Sequence, residues 1–166
     1  SIMEAYFGII SNAKEEILLT TPYFLPTEIM LDALKIAAKS GIRIKLLIPR
    51  KPDMRTAFYA SQSYLMEILQ SGVEVFCYTK GMMHAKTMVV DNLYSTVGST
   101  NLDQRSFSLN SEVNAFFIDE HIAAVLKKQF EEDLKDSYPL LLNSLKNRPW
   151  YKKALSSLAR LFAPIL

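Results

Sequence analysis

Apolar residues at the start of the chain follow a helical spacing. Between residues 3 and 17 they recur every three or four positions, which predicts an amphipathic helix. These positions are Met3, Tyr6, Ile10, Ala13 and Ile17. The apolar run ILLT that follows predicts a buried strand, and the two prolines of TPYFLP end it.

The next part of the chain continues this alternation of strands and helices. Thr27 is placed to cap a second helix, and Gly41 lies just past its end. IRIKLLI predicts a strand with Ile42, Ile44, Leu46 and Ile48 on one face. A third helix is predicted up to Gly72, and VEVFCY is typical of the next strand. This β-α-β-α-β order is typical of a mostly parallel sheet with helices packed on it.

From residue 84 onward the pattern favours shorter, antiparallel strands. HAKTMVV and LYSTVG predict two strands joined by a turn at Asp91 and Asn92, and EVNAFFI predicts a third. A helix is predicted from Glu120 to about Lys135, with Asp119 as its cap. The fold class is therefore α/β with a mixed sheet: a βαβαβ unit followed by antiparallel strands, with helices on the sheet.

Composition and charge limit the classes of function that fit this pattern. With 166 residues and 49% apolar content, the chain can bury the core of one compact domain. A net charge of +2 indicates no strong polyanion partner, so nucleic acid is not the expected ligand. The single cysteine, Cys77, excludes an internal disulfide, and no run approaches the roughly 20 apolar residues that cross a bilayer. Because the chain begins inside a helical pattern, we expect it to be part of a longer protein.

Polar residues gather in one short span that the sheet is expected to bring together. His84 and Lys86 lie two apart on the first of these predicted strands, and Glu112 and Asn114 lie two apart on the last. Side chains two apart on a strand share a face. A second group, Ser99 and Asn101, follows the middle strand. If the three segments are neighbours, these polar groups meet at one edge of the sheet.

This set of side chains suits chemistry at a phosphate group. Lys86, Ser99 and Asn101 offer donors that match an oxyanion, and His84 can act as a nucleophile or as an acid–base group. Glu112 could accept from the second imidazole nitrogen and fix its tautomer. No ligand-spaced group of histidines and carboxylates appears, so we expect no metal and no cofactor. Each residue taken alone also has a structural interpretation, such as a turn former at Asp91.

These residues carry a resemblance to a known family. HAKTMVVD resembles the HxKxxxxD signature of the phospholipase D superfamily, and GSTN resembles its GSxN element. Glu112 matches the carboxylate that this family uses to orient the motif histidine. The segments TPYFLP, IPRKPD, GMMHAKTMVVD and NLDQRSFSLNSEVNAFFID together resemble the C-terminal half of bacterial cardiolipin synthases.

The resemblance implies a two-step phosphatidyl transfer between two phosphatidylglycerol molecules, or other phospholipids, through a covalent phosphohistidine. It implies a candidate catalytic set of His84, Lys86, Asp91 and Glu112, with Ser99 and Asn101 binding the phosphate. His84 is either the nucleophile or the general acid, and the position of Asp91 in a turn favours support of the strands. Arg105 and Ser106 are weaker candidates, as local scaffold.

The mechanism of this family uses two histidine motifs, whereas this chain has one. Its other histidine, His121, begins a helix without a lysine two residues later, so we expect it at the surface. The resemblance implies that the second motif comes from an N-terminal half of the same longer chain or from a homodimer mate. A different phosphodiesterase of the superfamily, such as a phospholipase D or a nuclease, stays open, as does a catalytically incomplete scaffold half.

The C-terminal segment indicates a membrane surface. We expect a catalytic half-domain at 1–148 and a basic amphipathic helix at 149–166. Aromatic residues Trp150 and Tyr151 start that helix, and Lys152, Lys153 and Arg160 surround an apolar face made of Leu155, Leu158, Leu161 and Phe162. Such a helix suits anionic lipid, although packing on the protein itself stays open. The expected location is the bacterial cell membrane, as a cytoplasmic-side or peripheral domain.

Overall fold

The structure is a computed structural model that describes residues 1–51 and 53–161. The first seven elements are α1 (Ile2–Ser11), β1 (Glu16–Thr20), β2 (Phe24–Leu25), α2 (Glu28–Lys39), β3 (Arg43–Pro49), α3 (Arg55–Gln70) and β4 (Glu74–Tyr78). They are followed by β5 (Thr87–Val90), β6 (Tyr94–Gly98), β7 (Leu102–Asp103), α4 (Gln104–Ser108) and β8 (Asn114–Ile118). The last elements are α5 (Glu120–Lys135), β9 (Ser137–Pro139), α6 (Leu142–Lys146) and α7 (Trp150–Leu161).

The main sheet is mixed, which confirms the predicted fold class. Within the described residues its strand order is β8-β6-β5-β1-β3-β4-β9. The three strands β1, β3 and β4 run parallel, as the βαβαβ pattern predicts. The strands β5, β6 and β8 on one side, and β9 on the other, are antiparallel to their neighbours. The short strands β2 and β7 pair with each other in parallel.

Helices cover both faces of this sheet. The larger core lies under α1, α2 and α3, and it includes Ile44 and Leu46, with Ile42 and Ile48 packed at its margin. The smaller core lies under α5, where Ala123 and Phe130 pack against residues of β1, β3 and β5. Burying apolar area in this way is the main favourable term in folding. The alternation predicted for IRIKLLI is therefore confirmed.

The ends of several helices follow the predicted caps. The side chain of Thr27 accepts a hydrogen bond from the backbone N–H of Met30 at the start of α2. The side chain of Asp119 does the same for Ile122 at the start of α5. Gly41 follows α2 with a φ of 94°, a conformation that glycine adopts without steric cost.

Three boundaries of helices and strands were predicted wrongly from the sequence. The first helix ends at Ser11 rather than at residue 17, and Ile17 belongs to β1. The periodic match continued past the end of the helix because Ala13 and Ile17 are also buried or half-buried. The strands β5 and β8 begin later than predicted, so His84, Lys86 and Glu112 lie in the connections just before them.

The C-terminal helix α7 packs against α3, and α6 also packs against α3. The contact side of α7 contains the buried Ser156 and the half-buried Arg160. The guanidinium of Arg160 pairs with the carboxylate of Glu67 and lies 4.3 Å from the centre of the Tyr64 ring. Leu155, Leu158 and Leu161 face away from this contact and are exposed. Phe162, which the sequence placed on the same face, lies outside the described residues.

Candidate active site

The candidate site lies along one edge of the main sheet. The register places the last residue of β1, Thr20, beside Leu47 of β3 and Thr87 of β5. Farther along, Gly98 at the end of β6 pairs with Asn114 at the start of β8. The carboxyl ends of β1, β3, β4 and β6 therefore meet the amino ends of β5 and β8. Ligand sites of α/β sheets commonly lie at the carboxyl ends of parallel strands.

His84 and Lys86 are in direct contact at this edge. The Nζ atom of Lys86 lies 2.9 Å from Nδ1 of His84, and it donates to the His84 carbonyl oxygen at 2.8 Å. Lys86 is only 7% exposed, whereas His84 is exposed and open to a ligand. Burial lowers the pKa of Lys86, although the negative charges of Glu112, Asp103 and Asp53 act in the opposite direction. The imidazole and the amine are thus held together at this edge.

Ser99 and Glu112 form the next part of the site. The Ser99 hydroxyl donates to the Glu112 carboxylate and accepts from the backbone N–H of Val113 at 3.0 Å. The other carboxylate oxygen of Glu112 accepts from the Asn110 side chain at 3.2 Å. In this part of the described chain, Glu112 makes no hydrogen bond to His84. The predicted contact between that carboxylate and the imidazole is therefore corrected: Glu112 holds Ser99 instead.

Asn101 lies between the end of β6 and the short strand β7. Its Nδ2 atom is 3.4 Å from the hydroxyl of Ser106, while its Oδ1 atom is buried and has no partner among the described residues. Ser106 is itself buried, and its backbone N–H donates to the Asp103 carboxylate at 2.6 Å. The first turn of α4 thus contacts Asn101 through the Ser106 hydroxyl.

Asp91 lies at the opposite end of β5, away from the other candidates. It forms the turn between β5 and β6, with a φ of 51°, and Asn92 follows with a φ of 56°. Its carboxylate accepts from the backbone N–H groups of Lys14, Glu15 and Glu16 at 2.7–2.9 Å. Burial by itself would raise the pKa of Asp91, but these three hydrogen bonds together outweigh it and lower the pKa. The structure therefore does not bring Asp91 together with His84.

Two acidic residues at this edge were missed by the sequence reasoning. Asp103 is buried at the start of α4, and Asp53 follows β3 and accepts from the Tyr23 hydroxyl. That hydrogen bond lowers the pKa of Asp53, and burial together with Asp53 raises the pKa of Tyr23 to about 12. Their position in the sequence could have identified Tyr23 and Asp53 as site residues, because each follows the carboxyl end of a parallel strand.

The remaining titratable groups add little to this arrangement. His121 is exposed in the first turn of α5, which follows the far end of β8. Cys77 is buried in β4, and burial raises the pKa of its thiol. In the described part of the chain, no group of three His, Cys, Asp or Glu side chains is arranged to hold a metal ion. The chemistry available at the edge is that of an exposed imidazole beside an amine, a hydroxyl and an amide.

Solved structures place this architecture in the phospholipase D fold. The chain superimposes on Nuc from Salmonella typhimurium, a phospholipase D family member, with a TM-score of 0.75 and 22% identity, covering 84% of this chain and 91% of that one. It also superimposes on phosphatidylserine synthase from Haemophilus influenzae with a TM-score of 0.79 and 18% identity, covering 99% of this chain and 43% of that one. At such identities the likeness establishes the fold.

Sequence comparisons define the family within that fold. The model of the phospholipase D-like domain of cardiolipin synthases matches residues 6–134, and the chain belongs to this family. It is 45% identical to the major cardiolipin synthase of Bacillus subtilis over 165 residues, covering 99% of this chain and 34% of that protein. It is 44% identical to the cardiolipin synthase of Halalkalibacterium halodurans over 161 residues, covering 97% and 32%. The chain spans about a third of the length of these relatives.

Proposed function

We propose that this chain is the phosphatidyltransferase half-domain of a cardiolipin synthase. The reaction converts two phosphatidylglycerol molecules into cardiolipin and glycerol through a phosphohistidine. One observation carries the proposal: an exposed imidazole in contact with a buried amine, at the sheet edge of a chain whose family is that of the cardiolipin synthases. The substrate comes from the names of the relatives, and the site contributes groups suited to phosphate.

The proposed chemistry divides one displacement into two steps. In the first, a histidine nitrogen attacks phosphorus of the donor lipid, the bond to the glycerol oxygen breaks, and that oxygen takes a proton from an acid. In the second, a hydroxyl of the acceptor lipid attacks phosphorus, the P–N bond breaks, and the hydroxyl proton passes to a base. His84 fills either the nucleophile or the acid–base role in these steps.

The other residues at this edge either bind the phosphate or support the residues that bind it. We assign the non-bridging oxygens to Lys86, Ser99 and Asn101, whose donors stabilise charge in the transition state. Glu112 acts through the Ser99 hydroxyl, which it holds. Asp91 supports the turn between β5 and β6, and its three backbone hydrogen bonds favour that role over contact with substrate.

The proposal requires a second histidine motif from another domain. The chain contains only His84 and His121, and a proton donor contributes roughly a hundred- to ten-thousandfold in rate. We propose that the N-terminal half of a longer chain, or a homodimer mate, supplies this motif. Exposed apolar residues beside the site offer a contact surface for it; they are Val97, Leu109, Val113 and Phe116.

We also propose that α7 rests as a surface helix on anionic lipid, next to a catalytic half-domain at 1–148. Trp150 is 80% exposed and Leu161 74% exposed, with Lys152 and Lys153 nearby. Basic and aromatic residues around an outward apolar face are typical of interfacial helices. No helix in the described ranges is long and apolar enough to cross a bilayer. We base the proposed location, the bacterial membrane surface, on the exposed basic and aromatic residues of α7.

The test uses the full-length protein and vesicles of phosphatidylglycerol, without divalent metal. Formation of cardiolipin and glycerol in equal amounts is the expected result, and His84→Asn should abolish it. Release of phosphatidic acid alone would indicate a phospholipase D. Cleavage of an oligonucleotide, with the lipids unchanged, would indicate a nuclease.

A further inference from the structure

An apolar cavity adjoins the candidate site. It has a volume of about 210 Å³ and lies between the carboxyl ends of β1, β3 and β4 and the first half of α3. Its walls include Phe24, Ile48, Ala57, Phe58 and Leu65. An apolar cavity of about 150 Å³ is already large enough to bind benzene, so this one can hold a hydrocarbon segment.

The polar side chains at this cavity are mostly satisfied within the protein. The Ser61 hydroxyl donates to the Phe58 carbonyl oxygen at 2.9 Å, and the Gln62 side chain accepts from Arg148 at 3.0 Å. The hydroxyl of Tyr23, which also lines the cavity, donates to Asp53. Because these groups already have partners, the cavity favours an apolar occupant over a polar one.

Arg50 stands where this cavity meets a second, basic one. It follows the last residue of β3, and its backbone N–H donates to the Tyr78 carbonyl oxygen at 2.9 Å. The second cavity, of about 320 Å³, is lined by Arg50, Lys51, Thr79, Gly81 and Met82. Met82 is two residues from His84 in the chain, and Tyr23 of the apolar cavity donates to Asp53, a carboxylate on which His84 acts electrostatically.

The positive charge of the basic cavity is not neutralised by the described part of the protein. Neither Arg50 nor Lys51 forms an ion pair with a described carboxylate, whereas the nearby Lys80 pairs with Asp136 at 2.9 Å. The Arg50 guanidinium lies 5.8 Å from the centre of the Tyr138 ring, a cation–π distance that leaves its N–H donors available. A guanidinium held in this way is suited to a phosphate oxygen pair.

We propose that Arg50 and the adjoining apolar cavity form a phospholipid subsite beside His84, in which the guanidinium binds a lipid phosphate and the cavity takes the first part of an acyl chain. This deepens the proposed function and rests on it, because it names how one of the two lipids is held. The cavity is too small for a whole acyl chain, so the rest of the chain stays in the membrane. The subsite therefore recognises a lipid by a phosphate and the start of a chain together.

The test measures equilibrium binding rather than turnover. The full-length protein carrying His84→Asn is titrated calorimetrically with dihexanoyl phosphatidylglycerol below its micelle concentration, and with glycerophosphoglycerol, which lacks acyl chains. Arg50→Gln should weaken both ligands about tenfold, the loss of one charge-assisted hydrogen bond. Ala57→Leu, which fills the cavity, should weaken the acylated ligand about tenfold and the deacylated one less than twofold.

The controls separate this subsite from general effects. Lys128→Gln removes an exposed lysine that lines neither cavity, and it should leave both affinities unchanged. If Ala57→Leu lowers the melting temperature, Phe58→Ala replaces it, since it removes a wall of the cavity without adding bulk. Unchanged binding in Arg50→Gln, or an equal loss of both ligands in the cavity variants, overturns the subsite. If the subsite is overturned in this way but the unmodified protein forms cardiolipin, the proposed function stands. If the variants separate the two ligands as expected but the unmodified protein forms no cardiolipin, the subsite stands and the proposed function is rejected.

Discussion

The Nζ atom of Lys86 lies within 2.9 Å of Nδ1 and 3.2 Å of Nε2 in the His84 ring. The same amine donates to the His84 carbonyl oxygen at 2.8 Å, so it contacts both the ring and the backbone of this residue. The same amine is buried, and burial lowers its pKa, which means that its charge is costly to the fold.

We predict that Lys86→Met abolishes transfer without lowering stability. Transfer is lost because the amine that contacts the imidazole and that we propose to bind the phosphate is gone; a loss of at least about a hundredfold is expected for one transition-state donor. Stability is unchanged or higher, because a buried charge is replaced by an apolar side chain of similar length. Product formation and urea unfolding at pH 7 measure the two effects.

The direction of the pKa shift of Lys86 determines how its effect on stability changes with pH. Since the pKa of Lys86 is lowered in the folded state, the unfolded chain binds more protons between that value and 10.5. The free-energy cost of burying the charged Lys86 amine is therefore largest at low pH, and it disappears as pH rises toward 10.5. Lys128→Met, at an exposed position on α5, is the control that should change neither property. Full turnover in Lys86→Met would contradict the site.

The contact between Ser99 and Glu112 yields a second prediction. Glu112→Gln should lower the rate and leave the fold intact, because an amide can still accept from Ser99 but no longer supplies a full negative charge. Ser99→Ala should lower the rate as well, and combining the two changes should cost less than the sum of the single losses if they act through one hydrogen bond. Initial rates and melting temperatures measure this coupling. Additive losses would show that Glu112 acts independently of Ser99.

Much of this architecture was predictable from periodicity and caps. The spacing of Ile44 and Leu46 predicted a strand that contributes to the core, and Thr27 and Asp119 predicted the starts of α2 and α5. Both signals are local, since they depend on residues within a few positions of each other. The HxKxxxxD and GSxN patterns are local as well, and they marked His84, Lys86 and Ser99 as candidate site residues.

The rest depended on contacts between distant parts of the chain. Tyr23 and Asp53 are 30 residues apart, and their hydrogen bond forms only because β1 and β3 end side by side. The partner of Glu112 depended on the connection before β8, because this strand begins at Asn114 and not at Glu112 as predicted. Asp91 belongs to the sequence signature of the site, yet its carboxylate binds backbone groups about 75 residues earlier. Spacing along the chain does not specify such contacts.

A third prediction concerns this structural role of Asp91. Asp91→Asn should lower the free energy of unfolding by about 1–3 kcal/mol, because it weakens hydrogen bonds to three backbone N–H groups. Since the pKa of Asp91 is lowered in the folded state, its contribution is present above the unfolded value of 3.8 and is lost as pH falls below it. The difference between the two proteins in urea unfolding should therefore shrink between pH 7 and pH 3. A constant difference would contradict the ionised carboxylate as its source.

A fourth prediction concerns the close approach at Gly98. A Cβ atom there would overlap the Asn114 side chain and the Val113 carbonyl oxygen. Asn114 cannot easily move, because it donates to Tyr6 and Thr96 and accepts from the Thr100 N–H. Gly98→Ala should therefore destabilise the protein by about 1–3 kcal/mol, as overpacking does. Melting curves measure the change.

Gly8 offers a matched control for that substitution. It lies inside α1, and a Cβ atom there has open space around it. Gly8→Ala should stabilise the protein by about 0.5–1 kcal/mol through helix propensity. The two alanine variants thus move in opposite directions, and destabilisation of both would point to a general effect of the added methyl group.

The last prediction concerns the outward face of α7. Its inner side contains the buried Ser156 and is fixed to α3 by the pair of Arg160 with Glu67, so the helix cannot turn its leucines inward without losing this pair. If that face rests on lipid, replacing Leu155 and Leu158 with serine should reduce binding of the full-length protein to phosphatidylglycerol vesicles by about tenfold or more. Co-sedimentation measures the bound fraction. Ile36→Ser, at an exposed apolar position on α2, is the control. An equal loss in both variants, or no loss in either, would count against α7 as the membrane contact, because only the leucines combine an outward apolar face with Lys152 and Lys153 beside it.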